Sequence, residues 1–318
     1  MQPDLPLDRG SPPAYRWRMS AAQTLHFHLP PWHIDRIRAG KGGILNRVVE
    51  TVEARGWTAV LQAETETAAL PVAEGYHLVL NRPVIGANTL TLRRCLRDPF
   101  WRIEATNDRW DWQIARKPFR PGQVTGSCGA FMANWRGRIF GDLPLSPQGH
   151  VLIPLQGKLL EHRHFQSMSP IGMIRATLAA EPDRPLIASL HPKETYSEDE
   201  LAALAALIAD EPRLTLATRP TLDLLAGCDY VVTQNSSTAL TGYFAEKPAV
   251  LFGRIDFHHI AGSVPDLGVD AAFARALGPA PAFARYLFWY FKRNSIIAWA
   301  DDVQDRIADS LRMQGWPI

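Results

Sequence analysis

The stretch Tyr230-Val231-Val232-Thr233-Gln234-Asn235-Ser236-Ser237-Thr238-Ala239-Leu240 decides the fold of the second half of the chain. An apolar, β-branched run without alternation reads as a strand over 230–233 buried on both faces, the pattern of a parallel sheet. Polar turn residues follow, and Ser236 stands where an N-cap belongs before a helix over 237–244. The same strand, turn and helix order continues outward in both directions. Apolar strands are expected over 151–155, 185–190, 214–217 and 249–252, and helices over 171–180, 197–209 and 221–226. Ser197 and Glu200 hold the two positions of a capping box. Such alternation predicts an α/β domain with a doubly wound parallel sheet over 148–282.

The first half repeats the theme with shorter signals. Leu25-His26-Phe27-His28-Leu29 alternates as a strand, and Pro30-Pro31 is expected to stop it. A loop with Gly40, Lys41, Gly42 and Gly43 precedes a helix from Ile44, whose apolar residues Leu45, Val48, Val49 and Val52 fall at helical spacing before Gly56. Further strands are expected over 58–61, 76–80 and 89–92, giving an N-terminal domain over 21–147. Residues 1–20, with Pro3, Pro6, Pro12 and Pro13, read as an irregular leader. The tryptophan-rich and charged stretch 98–117 leads into 118–147, whose glycines and prolines read as loops and a linker. An aromatic segment with Lys292 and Arg293 and an amphipathic tail through Leu311 make 283–318 a pair of C-terminal helices packing across the domains.

Composition narrows the function classes. The 318 residues suit two domains, and 46% hydrophobic residues supply material for two cores. Lys and Arg number 34 against 32 Asp and Glu, so no general nucleic-acid binder is indicated and any basic site must be local. Cys95, Cys128 and Cys228 form no CxxC pair and read as reduced structural thiols in a cytoplasmic protein. No stretch approaches the roughly 18 apolar residues of a membrane span.

In an open parallel sheet, ligands bind beyond the carboxyl ends of the strands. His191-Pro192-Lys193 follows one expected strand and Gln234-Asn235-Ser236-Ser237-Thr238 another. Hydroxyls beside the free amides of a helix start, with a histidine and a lysine near them, form a favourable phosphate site. Arg254 and His258 follow a third strand on the same side. His258-His259 with Asp256 lacks a third well-placed ligand, so no metal is expected. Asp108 and Asp111, among Trp101, Trp110 and Trp112, are the candidate carboxylates for acid/base or nucleophilic chemistry, with Glu104 and Asp142 in reserve. Gly40-Lys41-Gly42-Gly43 lacks the Walker A spacing, so ATP use is unsupported.

The run 234–240, continuing through Lys247-Pro248-Ala249-Val250-Leu251-Phe252-Gly253, resembles the signature of the bacterial capsule polysaccharide synthesis family, which includes Kdo transferases. The resemblance covers roughly residues 150–300. It implies a GT-B glycosyltransferase architecture: two Rossmann-like domains whose parallel sheets face a central cleft. It also implies that an HP motif, here His191-Pro192, and an SS motif, here Ser236-Ser237, contact the phosphate of a CMP-sugar donor, with Arg254 and His258 near the donor and His191 in the catalytic group. The glycine loop resembles the loop that faces the cleft in such enzymes.

The implied partners are a CMP-activated sugar, with Kdo the leading choice, and a glycan or lipid-linked glycan acceptor. No metal or other cofactor is implied, and a peripheral inner-membrane or capsule-assembly association fits a lipid-linked acceptor. One departure stands out: Thr241-Gly242 replaces the Glu-Ala that binds the nucleotide ribose in many such domains, and Glu246 stands where Gly is usual. The alternatives are a UDP-sugar transferase or epimerase, and a noncatalytic polysaccharide-export or binding protein on a degenerate transferase fold.

Overall fold

A computed structural model describes residues 23–64 and 74–318, and the expected leader over 1–20 lies outside them. The chain divides into two compact units. One comprises the described residues up to Asn107 together with Ile296–Ile318; the other is Asp108–Ser295. The divisions therefore fall at 107/108 and 295/296 rather than at 147/148 and 282/283.

The chain opens with β1 (Thr24–Leu29), α1 (Pro31–Arg38), α2 (Ile44–Glu53), β2 (Thr58–Ala63), β3 (Tyr76–Leu80), β4 (Thr89–Arg94) and β5 (Phe100–Glu104). β1 stops at Leu29 before Pro30-Pro31 as expected, but Pro31 begins α1 at its first turn rather than a loop, where a missing N–H costs nothing. The expected β1–helix glycine loop is consequently a turn between two helices. β5, unexpected from the sequence, pairs antiparallel with β4.

The second unit begins with a 3₁₀ turn at Arg109–Asp111 and α3 (Gln113–Arg116), then α4 (Cys128–Phe140). α4 occupies the stretch expected to be loops and linker. Its buried residues Cys128, Met132, Trp135 and Ile139 recur every three or four positions, a helical stripe interrupted in sequence by Gly129 and Gly137. The alternation then runs β6 (Val151–Pro154), α5 (Pro170–Ala180), β7 (Leu186–Ser189), α6 (Glu198–Asp210), β8 (Leu214–Leu216), α7 (Thr221–Gly227), β9 (Tyr230–Thr233), α8 (Ser237–Gly242) and β10 (Ala249–Leu251). β11 (Gly262–Ser263), α9 (Val264–Leu267), α10 (Val269–Ala276) and α11 (Phe283–Leu287) follow, the last running into a π-helical turn over Phe288–Arg293. The chain then re-enters the first unit as β12 (Ile296–Ile297) and α12 (Val303–Met313).

Each unit holds a six-stranded sheet. The first has the order β12-β5-β4-β3-β1-β2, parallel among β1 to β4 and antiparallel at β5 and β12. Leu25, Phe27 and Leu29 enter a core with Val48 and Val52 of α2 and Ile307 and Leu311 of α12. Trp316 closes that core, its ring 6.1 Å from Trp57 and 5.0 Å from Tyr76. The second sheet, β11-β10-β9-β6-β7-β8, is parallel throughout. Its strands β6, β9 and β10 are buried along their length, as expected of a sheet covered on both faces.

Before β7 and β9 the second sheet is locked by charge. Arg184 donates to Glu181 at 2.6 Å and to Asp229 at 2.8 Å, and Tyr230 Oη donates to Glu181 at 2.9 Å. Burial works to raise the Glu181 pKa, but the hydrogen bonds from Tyr230 and Arg184 outweigh it and hold the carboxyl below its ordinary range. The three cysteines are buried free thiols, and burial pushes that of Cys228 up to about 12.

Candidate functional site

In the second sheet β6 lies between β7 and β9. The chain builds outward through β7 and β8, then crosses to the other side of β6 for β9, β10 and β11. That reversal is the topological switch point at which open α/β sheets form their ligand crevice, outside the carboxyl ends of the strands. Four segments leave the sheet along this edge: Leu155-Gln156 after β6, His191 after β7, Gln234 after β9 and Gly253-Arg254 after β10.

The β9 segment is held by its own polar groups. Thr233 Oγ1 donates to the Pro154 carbonyl at 2.8 Å, tying β9 to β6. Gln234 is buried; its Nε2 donates to the Met168 carbonyl at 3.0 Å, while its carbonyl accepts from Gly253 N at 2.8 Å. Ser236 caps α8, its Oγ accepting from Thr238 N at 3.2 Å and donating to Thr238 Oγ1 at 3.1 Å. Ser236 is buried and Ser237 exposed. The Oε1 atoms of Gln156 and Gln234 are both buried without a hydrogen-bond partner, so two carboxamide acceptors next to the switch point are left unsatisfied.

After β7, His191 N donates to Tyr196 Oη at 2.8 Å, and Lys193 N donates to His191 Nδ1 at 3.2 Å. Because Nδ1 accepts, the neutral ring carries its proton on Nε2, leaving Nε2–H as a donor. His191, Pro192 and Lys193 are exposed. With β6 between them, the β7 and β9 segments stand two strand spacings apart, about 10 Å. The sequence-predicted pair thus shares one edge of the sheet on either side of the switch point.

Arg254 joins that edge. Its backbone N donates to the Phe165 carbonyl at 2.8 Å and its guanidinium to the His164 carbonyl at 3.3 Å. The same guanidinium lies 5.5 Å over the ring of Trp110, which stacks on Phe165 at 5.2 Å. These contacts bring the Asp108–Asp111 turn beside β10. Asp108 and Asp111 therefore belong to the second unit, not to the N-terminal domain in which the sequence set them. Asp111 lies 3.6 Å from Arg116.

His258 is directed elsewhere. Its Nδ1 sits 2.7 Å from the Ile255 carbonyl and its ring stacks on His259 at 4.4 Å. It lines a cavity of about 260 Å³ with His259, Asp266 and Arg275, none of them a residue of the two phosphate motifs. Asp256 is fully buried, accepting from Arg109 at 2.9 and 3.2 Å and from Tyr290 Oη; it holds the fold together. Among the described residues no group of three or more His, Cys, Asp and Glu could hold a metal ion.

The glycine loop is explained by its own geometry. Gly40 and Gly43 have φ of +68° and +62°, and a Cβ on Gly42 would stand 2.5 Å from Asn46 Oδ1 and 2.8 Å from Ile37 Cγ1. Lys41 contributes its carbonyl to Arg36.

The sequence reading missed the polar face of the first sheet. His26 and His77 stack at 5.1 Å, and His28 Nε2 lies 3.0 Å from His77 Nδ1. Burial, then the neighbouring His77 and His26, lowers the His28 pKa to about 4. The alternation of 25–29 already put His26 and His28 on one face; the register that brings His77 opposite His26 is not written in either strand alone.

Fold and edge together define a two-unit α/β protein whose second unit carries a parallel sheet with a topological switch point at β6. No protein-family model matches the chain, and no curated protein does. Solved structures match at low identity. The beta Kdo 2,7 transferase of Thermosulfurimonas dismutans KpsC is 11% identical, with 92% of this chain and 99% of that one covered and a TM-score of 0.46. WaaG, a glycosyltransferase involved in lipopolysaccharide biosynthesis, is 9% identical, covering 92% of this chain and 100% of that one with a TM-score of 0.34. The UDP-GlcNAc 2-epimerase of Methanocaldococcus jannaschii is 8% identical, covering 91% and 99% with a TM-score of 0.32. Likenesses this distant assign neither residues nor activity.

Proposed function

We propose that the chain is a glycosyltransferase that takes a sugar, with Kdo the leading choice, from a CMP-activated donor and passes it to a glycan or lipid-linked glycan in surface polysaccharide assembly. The supporting observation is the shared strand edge: His191-Pro192-Lys193 and Gln234–Thr238 flank β6 at the switch point, where two buried glutamine oxygens lack partners.

The donor phosphate sits between these segments. Ser237 Oγ and the first amides of α8 donate from one side, and His191 Nε2–H and Lys193 Nζ from the other. Their task is electrostatic: as the bond from sugar carbon to phosphate oxygen breaks, CMP leaves with the electron pair and its added charge falls among fixed donors. The acceptor hydroxyl oxygen bonds to that carbon and its proton passes to a carboxylate, Asp108 or Asp111. Arg254, held over Trp110 beside them, supplies positive charge near the donor. No metal enters this scheme.

Calorimetry with CMP, CMP-Kdo and UDP-GlcNAc tests the donor. Binding of CMP and CMP-Kdo is expected; binding of neither removes the assignment, and a preference for UDP-GlcNAc selects a UDP-sugar enzyme. One observation favours a noncatalytic binding protein: Thr241, at the ribose-binding position, turns its hydroxyl back onto the Ser237 carbonyl at 3.0 Å. Nucleotide binding without turnover across acidic and neutral glycan acceptors would select it.

A further inference from the structure

A near-neutral chain can still concentrate one sign of charge, and this one does so in two segments. Residues 112–141 contain no Asp or Glu but five cations, Arg116, Lys117, Arg120, Arg136 and Arg138. Residues 271–300 contain none either, and hold Arg275, Arg285, Lys292 and Arg293. The fold packs these segments together, α4 against α11 and the π-helical turn after it. Between them opens a cavity of about 330 Å³ lined by Lys117, Arg120, Gln123, Trp289, Arg293 and Asn294, among others.

The cations here are held but not neutralised. Lys117 Nζ donates to Asn294 Oδ1 at 2.7 Å, and Arg293 donates to the Thr125 carbonyl at 2.6 Å and its hydroxyl at 2.8 Å. All of these acceptors are uncharged. Arg120 is exposed; its carbonyl accepts from Gln123 N at 3.0 Å, but its guanidinium makes no hydrogen bond or ion pair with any described residue. By contrast Arg116 and Arg136, outside the cavity, are paired with Asp111 and Glu246. Two cations fixed by neutral groups and a third left unpaired around one concavity keep their charge for a ligand, and the field of a concave site concentrates anions.

We propose that this cavity binds a carboxylated sugar residue of an acidic glycan. Its volume lies in the range of small-molecule sites. Lys117, Arg120 and Arg293 would take the carboxylate, while the carboxamides of Gln123 and Asn294 beside them suit hydroxyls. A membrane surface is the poorer fit. The aromatic residue in the wall, Trp289, is buried, so the cavity offers no exposed aromatic to insert between lipids. In the glycosyl-transfer reading this is an acceptor subsite, and only that role depends on the reading; the binding does not.

The test uses tetragalacturonate as probe, with maltotetraose, inorganic phosphate and phosphatidylglycerol vesicles as comparisons, on the full chain and on Arg120→Glu and Lys117→Gln variants. Thermal midpoints serve as the fold control, because the exposed Arg120 side chain makes no hydrogen bond or ion pair whose loss would unfold the chain. Tetragalacturonate is expected to bind, to weaken as salt rises, and to weaken at least about tenfold in Arg120→Glu, as loss of one charge-assisted contact implies; maltotetraose is expected not to bind. Equal affinity of Arg120→Glu and the parent chain overturns the proposal, as does binding of phosphate or vesicles in place of the oligosaccharide. Loss of CMP binding by the parent chain alone would count against the donor assignment and leave this site standing.

Discussion

Two adjacent serines carry different burdens. Ser236 is buried and caps α8 through Thr238 N, whereas Ser237 is exposed at the first helical position. Ser237→Ala is therefore expected to weaken CMP binding by about tenfold, the loss of one hydrogen bond to a charged group, with an unchanged denaturation midpoint. Ser236→Ala should lose both affinity and about 1 kcal/mol of stability, the usual worth of an N-cap. Calorimetry and urea titration on the two variants separate the roles; equal stability loss in both would refute the division. Asp256 illustrates where single residues mislead. It sits two positions after Arg254 and two before His258, yet its partner is Arg109, 147 residues away, and no local pattern announces a pair made at that distance.

Elements with an unbroken apolar run were legible, because such a run has only one economical use in a parallel sheet. β6, β7, β9 and β10 are found where the run predicts them, and the Ser197–Glu200 capping box at α6 is closed from both sides. α4 was hidden because glycine is a poor helix former and two glycines lie within thirteen residues. That makes Gly137 a direct probe: it is exposed, has negative φ, and a Cβ there would meet nothing within 4 Å. Gly137→Ala is expected to stabilise the protein by about 0.5–1 kcal/mol, read as a rise in thermal midpoint; a fall would show that the segment is not helical. Gly262 is the opposite case. A Cβ on this first residue of β11 would stand 1.9 Å from the Ala272 carbonyl oxygen of α10, so the helix must move. Gly262→Ala should cost about 3 kcal/mol or more, visible as loss of soluble protein or a deep drop in midpoint.

At the scale of the molecule, the sequence order of elements conceals that the first unit is discontinuous. β12 has two residues and pairs antiparallel with β5, too short a signal to read, and it is what returns α12 to the first core. That core backs a sheet whose other face is polar, and the polar face sets a pH dependence. The folded-state pKa of His28, about 4, lies below the roughly 6.5 of an unfolded histidine. Between those values the unfolded chain binds a proton that the folded chain does not, so stability rises with pH and is lost as pH falls from 6.5 towards 4. The shift corresponds to at most about 3–4 kcal/mol, at about 1.4 kcal/mol per pH unit. His150, also lowered chiefly by burial, acts with the same sign in the second unit, and Glu181 adds its loss only below 4.5, as the pH passes its depressed folded value. Thermal midpoints measured from pH 7 to 4 should therefore fall steadily below 6.5. His28→Gln, which keeps a polar side chain beside His77, should flatten that fall without abolishing it, since His150 remains. An unchanged slope in the variant would mean that His28 is protonated in the folded protein and that the histidine face is not dry.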